Sequence, residues 1–285
     1  GRKPCFFFPN DSDISCYKNK LNIINIVSSK KTINFSLWLE QLISESLGKK
    51  KQGFLPIVNE IIKLDNSKLM NRIFLIIDPD EKNQIYAKEL LSKNIPVKII
   101  NFPKNKFSVS GEFFKWQMAI SILGNLMNIN PFDQPNVEKS KNLTQKYLDK
   151  EKLNKSEYDD LNAIEVGKKI NCVVLLNYSD NSEKSQNFIK NIQRLIYNKH
   201  EKSCIVLEAP RYLHSIGQLF KSGIKNIMYI FIENSYIVDE NSKYYELSKI
   251  LHAQALSEYD IMKKIAKTVL RLRVNYDYVR ATKRK

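Results

Sequence analysis

Short runs of nearly uninterrupted Ile, Val and Leu recur along this chain and restrict its architecture more than any other feature. They occupy residues 21–27, 72–77, 96–102, 172–176, 204–207, 227–232 and 269–274. A strand with one face in water alternates apolar and polar side chains, and these runs do not alternate, so they read as strands covered on both faces. Longer amphipathic stretches between them read as helices. The rhythm predicts an α/β protein: a three-layer αβα arrangement around a mainly parallel sheet, followed by a second α/β unit. The polar, Lys-rich and Asn-rich segment 149–169 separates two series of runs. The expected organisation is therefore a first domain over residues 1–148, with residues 1–17 unplaced, a linker over 149–169, and a C-terminal α/β unit over 170–285.

The chain has 285 residues, room for about two domains at roughly 150 residues each. With 43% hydrophobic and 27% charged residues it has the make-up of a globular protein. No apolar run approaches the roughly 18 residues of a spanning helix, so no membrane partner is expected. A formal charge of +16 invites an anionic partner. The excess is mostly Lys and is spread along the whole chain, without a basic stripe interleaved with aromatics or a recognition-helix spacing. It reads as a diffuse solvated surface; no nucleic-acid partner is expected, and a phosphorylated small substrate accounts for a positive site. Cys5, Cys16, Cys172 and Cys204 lack metal-ligand spacing, and the last two lie in apolar runs. Free thiols in a reducing, cytoplasmic compartment are expected. The chain opens on Gly1 and shows no secretory signature, which reads as a piece of a longer protein.

Three segments could carry chemistry. In NFSLWLEQLISESLGKK, residues 34–50, helical spacing puts Glu45 on the stripe of Trp38 and Leu42 and turns Glu40 away. A carboxylate among apolar neighbours is pushed toward the pKa range of a general base, and Gly48 would end the helix and open space beside it. The plain alternative is a Glu in a final turn that reaches solvent. In residues 111–141, two apolar stripes, Phe113-Trp116-Ile120-Leu123-Met127 and Phe114-Met118-Ile122, predict a helix buried nearly all round. The prolines of NPFDQP stop it, and Pro135 is placed to start another helix. On that helix Val137 and Lys141 share a face that would aim the ammonium group inward, against the plain alternative of one surface Lys among many. The third segment, APRYLHSIGQLFKSGIKN over 209–226, follows a strand and gathers Arg211, His214, Ser215, Gly217 and Gln218, where α/β sheets bind ligands. No set of His, Asp and Glu has metal spacing, so no metal is expected.

These segments resemble a known family. NPFDQPNVEKSK, preceded by GEFFKWQMAISILGNLMNI and by WLEQLISESLGKKKQGFLPI, is similar to the C-terminal sugar-isomerase (SIS) domain of glucose-6-phosphate isomerase. The likeness is to the bacterial bifunctional form fused behind a transaldolase. APRYLHSIGQLFKSG resembles that form's PRFLHSTGQLHKGG segment, and LHAQALSEYD falls where it has an AQALGD run. The three motifs come in the family's order from about Lys18 to the C-terminus.

The resemblance implies an aldose-ketose isomerase of glycolysis and gluconeogenesis. It would interconvert glucose 6-phosphate and fructose 6-phosphate through a cis-enediol, without metal or organic cofactor, as a homodimer. Glu45 matches the general base, Lys141 the lysine near the ring oxygen, and Gln134 a residue lining the sugar site. Arg211 enters as a substrate-binding candidate. No His lies between Glu45 and Lys141, so His214 is the candidate for ring opening by its motif. The family's upstream isomerase domain with its Ser/Thr-rich phosphate loop, and the transaldolase, have no counterpart in these residues. Phe220, Ser222 and Ile224 replace His, Gly and Pro of the fused form. The alternative is a sugar-phosphate binding or sensing module, a degenerate isomerase without turnover.

Overall fold

The computed structural model describes residues 23–60, 69, 72–102, 105–133, 137–149, 158–234 and 244–274. The chain divides into two compact units, Gly1–Gln134 with Ser215–Ile224, and Pro135–His214 with Lys225–Lys285.

In the first unit β1 (Ile23–Ser28), β2 (Leu55–Val58), β3 (Arg72–Ile77) and β4 (Val97–Ile100) form a parallel sheet in the order β2-β1-β3-β4. Its helices are α1 (Ile33–Leu47), α2 (Glu81–Ser92) and α3 (Lys106–Leu126), joined from later in the chain by α6 (Gly217–Lys221). The strand period of two sends Ile73, Leu75 and Ile77, with Ile24 and Ile26, into one core with Phe35, Leu39, Ile43 and Leu47 of α1 and Trp116 and Ile120 of α3. Phe74 and Ile76 point the other way, against Ala87 and Leu90 of α2. Every residue of β3 is buried, which is why its sequence does not alternate. Each such Ile, Leu or Phe contributes roughly 1.5–3 kcal/mol through burial.

Two expectations for this unit change. β2 is an additional strand, hidden in the sequence because Pro56 interrupts its apolar run. Among the described residues it pairs only with β1, with Ile24 opposite Pro56, and an edge strand tolerates the missing N–H. The helix expected to be buried all round, α3, is covered on one stripe only. Trp116 and Ile120 are buried, while Phe107, Phe114, Met118, Ile122 and Leu126 are exposed, Phe114 to 63%. The sheet and α1 cover one side of an outer-layer helix, and a second apolar stripe in the sequence does not create a second neighbour.

In the second unit β5 (Cys172–Asn177), β6 (Ser203–Glu208), β7 (Ile227–Glu233) and β8 (Val269–Arg273) are again parallel, in the order β6-β5-β7-β8. The same topology thus occurs twice, which fits the expected second α/β unit. Helices α4 (Val137–Leu148), α5 (Glu183–His200) and α7 (Tyr245–Ile265) belong here. α5 starts at Ser182, whose hydroxyl accepts from the Ser185 N–H, and ends at Glu201 in a left-handed conformation, φ 53°. Its Phe188, Ile189, Ile192 and Ile196 fall on one face and pack with Val173, Leu175, Met228, Ile230 and Leu272. Phe231 and Tyr259 of α7 meet edge to face at 5.6 Å between ring centroids.

A buried ion pair lies in this unit. Arg271 and Glu233 are both 0% exposed, and the guanidinium donates through Nε to Oε1 and through Nη2 to Oε2 at 2.8 Å. The guanidinium also stacks on the Tyr158 ring at 4.5 Å, and the Arg271 amide donates to Asp159 at 2.7 Å. Burial alone would push the Glu233 carboxyl up. The hydrogen bonds from Arg271 and His252, with their charges, outweigh it and hold the group below the ordinary carboxylate value.

Candidate functional site

The site is assembled around the end of α1. Phe35, Leu39, Ile43 and Leu47 recur every four residues and face the core. Ser36, Glu40 and Ser44 form a second buried row beside them, because α1 packs not only on β1 and β2 but also on α3 and α6. Glu40, expected to point away, is therefore 5% exposed, and Glu45 is half-buried. Trp38 and Leu42 pack at the margin of the same core, with the Trp38 and Phe113 rings 4.3 Å apart. Glu45 sits one turn after Gln41, whose Nε2 donates to Glu45 Oε2 at 3.2 Å.

Gly48 follows, but the space expected beside it is filled. A Cβ there would stand 2.5 Å from Leu219 Cα and 2.4 Å from the Ser44 oxygen, so only glycine lets α6 approach. The chain then reverses through a tight turn closed by Lys49 and Gln52, whose backbones exchange hydrogen bonds of 3.2 and 2.9 Å. Its two central residues, Lys50 and Lys51, are left-handed with φ 52° and 62°. A side chain in that region costs roughly 1–2 kcal/mol per residue, and such strain persists where surrounding contacts impose it.

Those contacts come from two distant segments. The Lys51 amide donates to the Ser222 oxygen at 3.1 Å, and Gln218 Nε2 donates to the Gly48 oxygen at 3.3 Å. Gln218 Oε1 is buried without a hydrogen-bond partner. From the other side Lys50 Nζ donates to the Asn128 oxygen at 3.0 Å. Lys49 Nζ donates to the Asn130 oxygen at 2.6 Å and lies 3.1 Å from Asp133 Oδ1. Segments 45–53, 128–133 and 215–223 thus converge in one unit. Replacing Lys51 by Gly should raise stability by about 0.5–1 kcal/mol, since glycine adopts the left-handed region freely. A urea unfolding midpoint that stays put or falls would show that the turn is not strained.

The remaining predicted residues fall elsewhere. Gln134, and Pro135 with it, lies outside the described residues. Lys141 is on α4 in the second unit and is exposed, whereas its spacing from Val137 suggested an inward ammonium. The contacts of α4 with α7 are made instead by Thr144, whose hydroxyl is 2.8 Å from that of Ser257, and by Tyr147, which donates to Asp260. Arg211 and His214 bound a 3-10 turn, also in the second unit, and both are exposed. The buried Tyr212 between them anchors the turn, its hydroxyl 2.9 Å from that of Tyr178. Among the described residues no group of three or more His, Cys, Asp or Glu could hold a metal ion, and no helix is long and apolar enough to cross a membrane.

Sequence reasoning missed Lys49. Its one signal is position, immediately after the glycine that ends α1, and among 46 Lys and Arg residues that signal does not stand out.

No family model matches the chain. A glucose-6-phosphate isomerase of Fusobacterium nucleatum subsp. nucleatum is 25% identical over an alignment of length 166, and the match takes in 44% of this chain and 37% of that protein. The match therefore spans well under half the length of the curated relative. Among solved structures, the C-terminal domain of glucosamine-fructose-6-phosphate aminotransferase from Francisella tularensis aligns over 94% of this chain and 81% of its own, at 9% identity and a TM-score of 0.30. A hypothetical protein of Thermus thermophilus aligns over 90% of this chain and 74% of its own, at 10% identity and a TM-score of 0.27. The chain is thus similar in sequence, over part of its length, to a sugar-phosphate isomerase.

Proposed function

We propose that this chain is part of an aldose-ketose isomerase that interconverts glucose 6-phosphate and fructose 6-phosphate. The supporting observation is the convergence of ESLGKK, NINPFD and SIGQLFKSG on the strained turn that follows Glu45. These are the segments that resemble the family, and they lie far apart in sequence. The 25% identity to a glucose-6-phosphate isomerase supports the same reading.

On this reading the Glu45 carboxylate removes the proton from C2 of the open-chain aldose. The bonding electrons form the C1–C2 double bond while charge moves to O1. Protonation of O1 gives the cis-enediol, and the carboxylic acid returns the proton to C1 as the C2 hydroxyl loses its own proton and becomes the ketone. The family resemblance carries ring opening and charge stabilisation to Lys141, orientation of the sugar to Gln134 and ring opening to His214, with Arg211 a further substrate-binding candidate. Proton transfer of this kind needs no metal or organic cofactor.

The experiment is turnover of fructose 6-phosphate by the full-length protein in D2O. Formation of glucose 6-phosphate with deuterium at C2 is expected, because the transferred proton passes through a carboxyl that exchanges with solvent. Binding of fructose 6-phosphate without turnover or exchange would instead identify a sensing module.

A further inference from the structure

Lys49 is a buried cation of the first unit that the proposed chemistry leaves without a task. Its side chain is 5% exposed, and an ammonium group so placed is costly unless it is paired and hydrogen-bonded. Both of its partners, the Asn130 oxygen at 2.6 Å and Asp133 Oδ1 at 3.1 Å, lie in the short loop that leads into Gln134. On its own side Lys49 is four residues from Glu45. The intervening Gly48 is wedged against Leu219, and Gln218 holds the Gly48 carbonyl oxygen. Lys50 makes a parallel contact to the Asn128 oxygen at 3.0 Å, so two successive lysines grip one loop. Asp133 is 53% exposed, which leaves the ion pair partly screened and makes the bond to the Asn130 carbonyl the sturdier of the two.

We propose that Lys49 is a positioning residue: it clamps the turn after Glu45 to the 128–133 loop and thereby fixes the Glu45 carboxylate relative to that loop. The role rests on the isomerase reading above. The clamp links two elements that must keep register during proton transfer between adjacent carbons, and a displacement of about 1 Å at a reacting group can cost about 10²-fold in rate. Remote contacts that bind the sugar phosphate are unaffected, so the loss falls on kcat rather than on KM.

The test uses the full-length protein and its Lys49→Met, Lys49→Arg and Asp133→Asn variants, with steady-state kinetics on fructose 6-phosphate and amide hydrogen exchange over 48–53 and 128–133. Lys49→Met should lower kcat by about 10²-fold with KM within about threefold, and exchange should quicken in both segments together. Lys49→Arg keeps the charge and the donors and should recover at least about tenfold of the lost kcat. Asp133→Asn removes only the half-exposed partner and should lower kcat by about three- to tenfold, keeping the question decidable if Lys49→Met does not fold. A kcat for Lys49→Met within threefold of the parent, an arginine variant no better than methionine, or an Asp133→Asn kcat equal to the parent overturns the proposal. So does faster exchange in one segment without the other. If the parent itself shows no turnover, the isomerase reading fails and exchange decides the clamp alone: coupled loosening of both segments upholds it, and unchanged exchange in either rejects it.

Discussion

Replacing Glu45 by Gln in the full-length protein should lower kcat for fructose 6-phosphate by about 10³-fold or more, while sugar-phosphate binding stays within about threefold. Positioned acid-base groups contribute about 10²–10⁴-fold, and this proposal asks one carboxylate to act twice in each turnover. Glutamine has the same shape and keeps a polar contact for Gln41, which lies 3.2 Å away, so the fold should not register the change. A coupled assay read beside a calorimetric titration separates the two quantities. Deuterium exchange at C1 and C2 should vanish with turnover. Activity within tenfold of the parent would mean that another group moves the proton and that the family likeness does not extend to this residue.

Replacing Arg271 by Met should destabilise the second unit by about 3–5 kcal/mol, the largest stability effect expected anywhere in the described structure. The penalty comes less from the lost attraction than from Glu233, left 0% exposed with a charge that has no guanidinium beside it. The pH dependence follows from the direction of the Glu233 shift. Its folded-state pKa lies below the ordinary value, so its contribution is present above about pH 4.3, the unfolded-state value, and is lost as pH falls below that toward the folded-state pKa. In Arg271→Met burial acts without its main counterweight and raises the folded-state pKa. The variant should then be most impaired at neutral pH and approach the parent in acid. Urea midpoints measured between about pH 3 and 8 test this. A parallel pair of curves would mean that the shift has another origin. The double replacement Glu233→Leu with Arg271→Met should recover much of the loss, because no unpaired charge remains.

The strands were legible because the energetic cause was local. A run such as RIFLII has no polar side chain on either face after its first residue, and only a strand covered on both sides satisfies it. β2 escaped because proline is penalised in the middle of a sheet but not at its edge, and edge or centre is a property of the partners. Helix faces were less legible for the same reason. The pattern around Glu40 and Glu45 counts apolar stripes correctly yet cannot say that α6, arriving some 170 residues later, packs against the end of α1. Gly48 shows the limit most clearly. Its role as a helix end is written in the residue type, whereas the Leu219 backbone pressed against it depends on the rest of the fold. The motif carrying Glu45 was recognisable from its likeness to the isomerases. Lys49 lies inside that motif and was passed over because burial, not identity, distinguishes it.

The late arrival of α6 has a consequence for biosynthesis. The first sheet and helices α1 to α3 have all left the ribosome long before Ser215–Ile224 is translated, so the nascent unit must wait with the notch at Gly48 unfilled. An isolated N-terminal half made without those ten residues keeps that gap permanently, and it should be captured by chaperones and cut by proteases more readily than the finished chain.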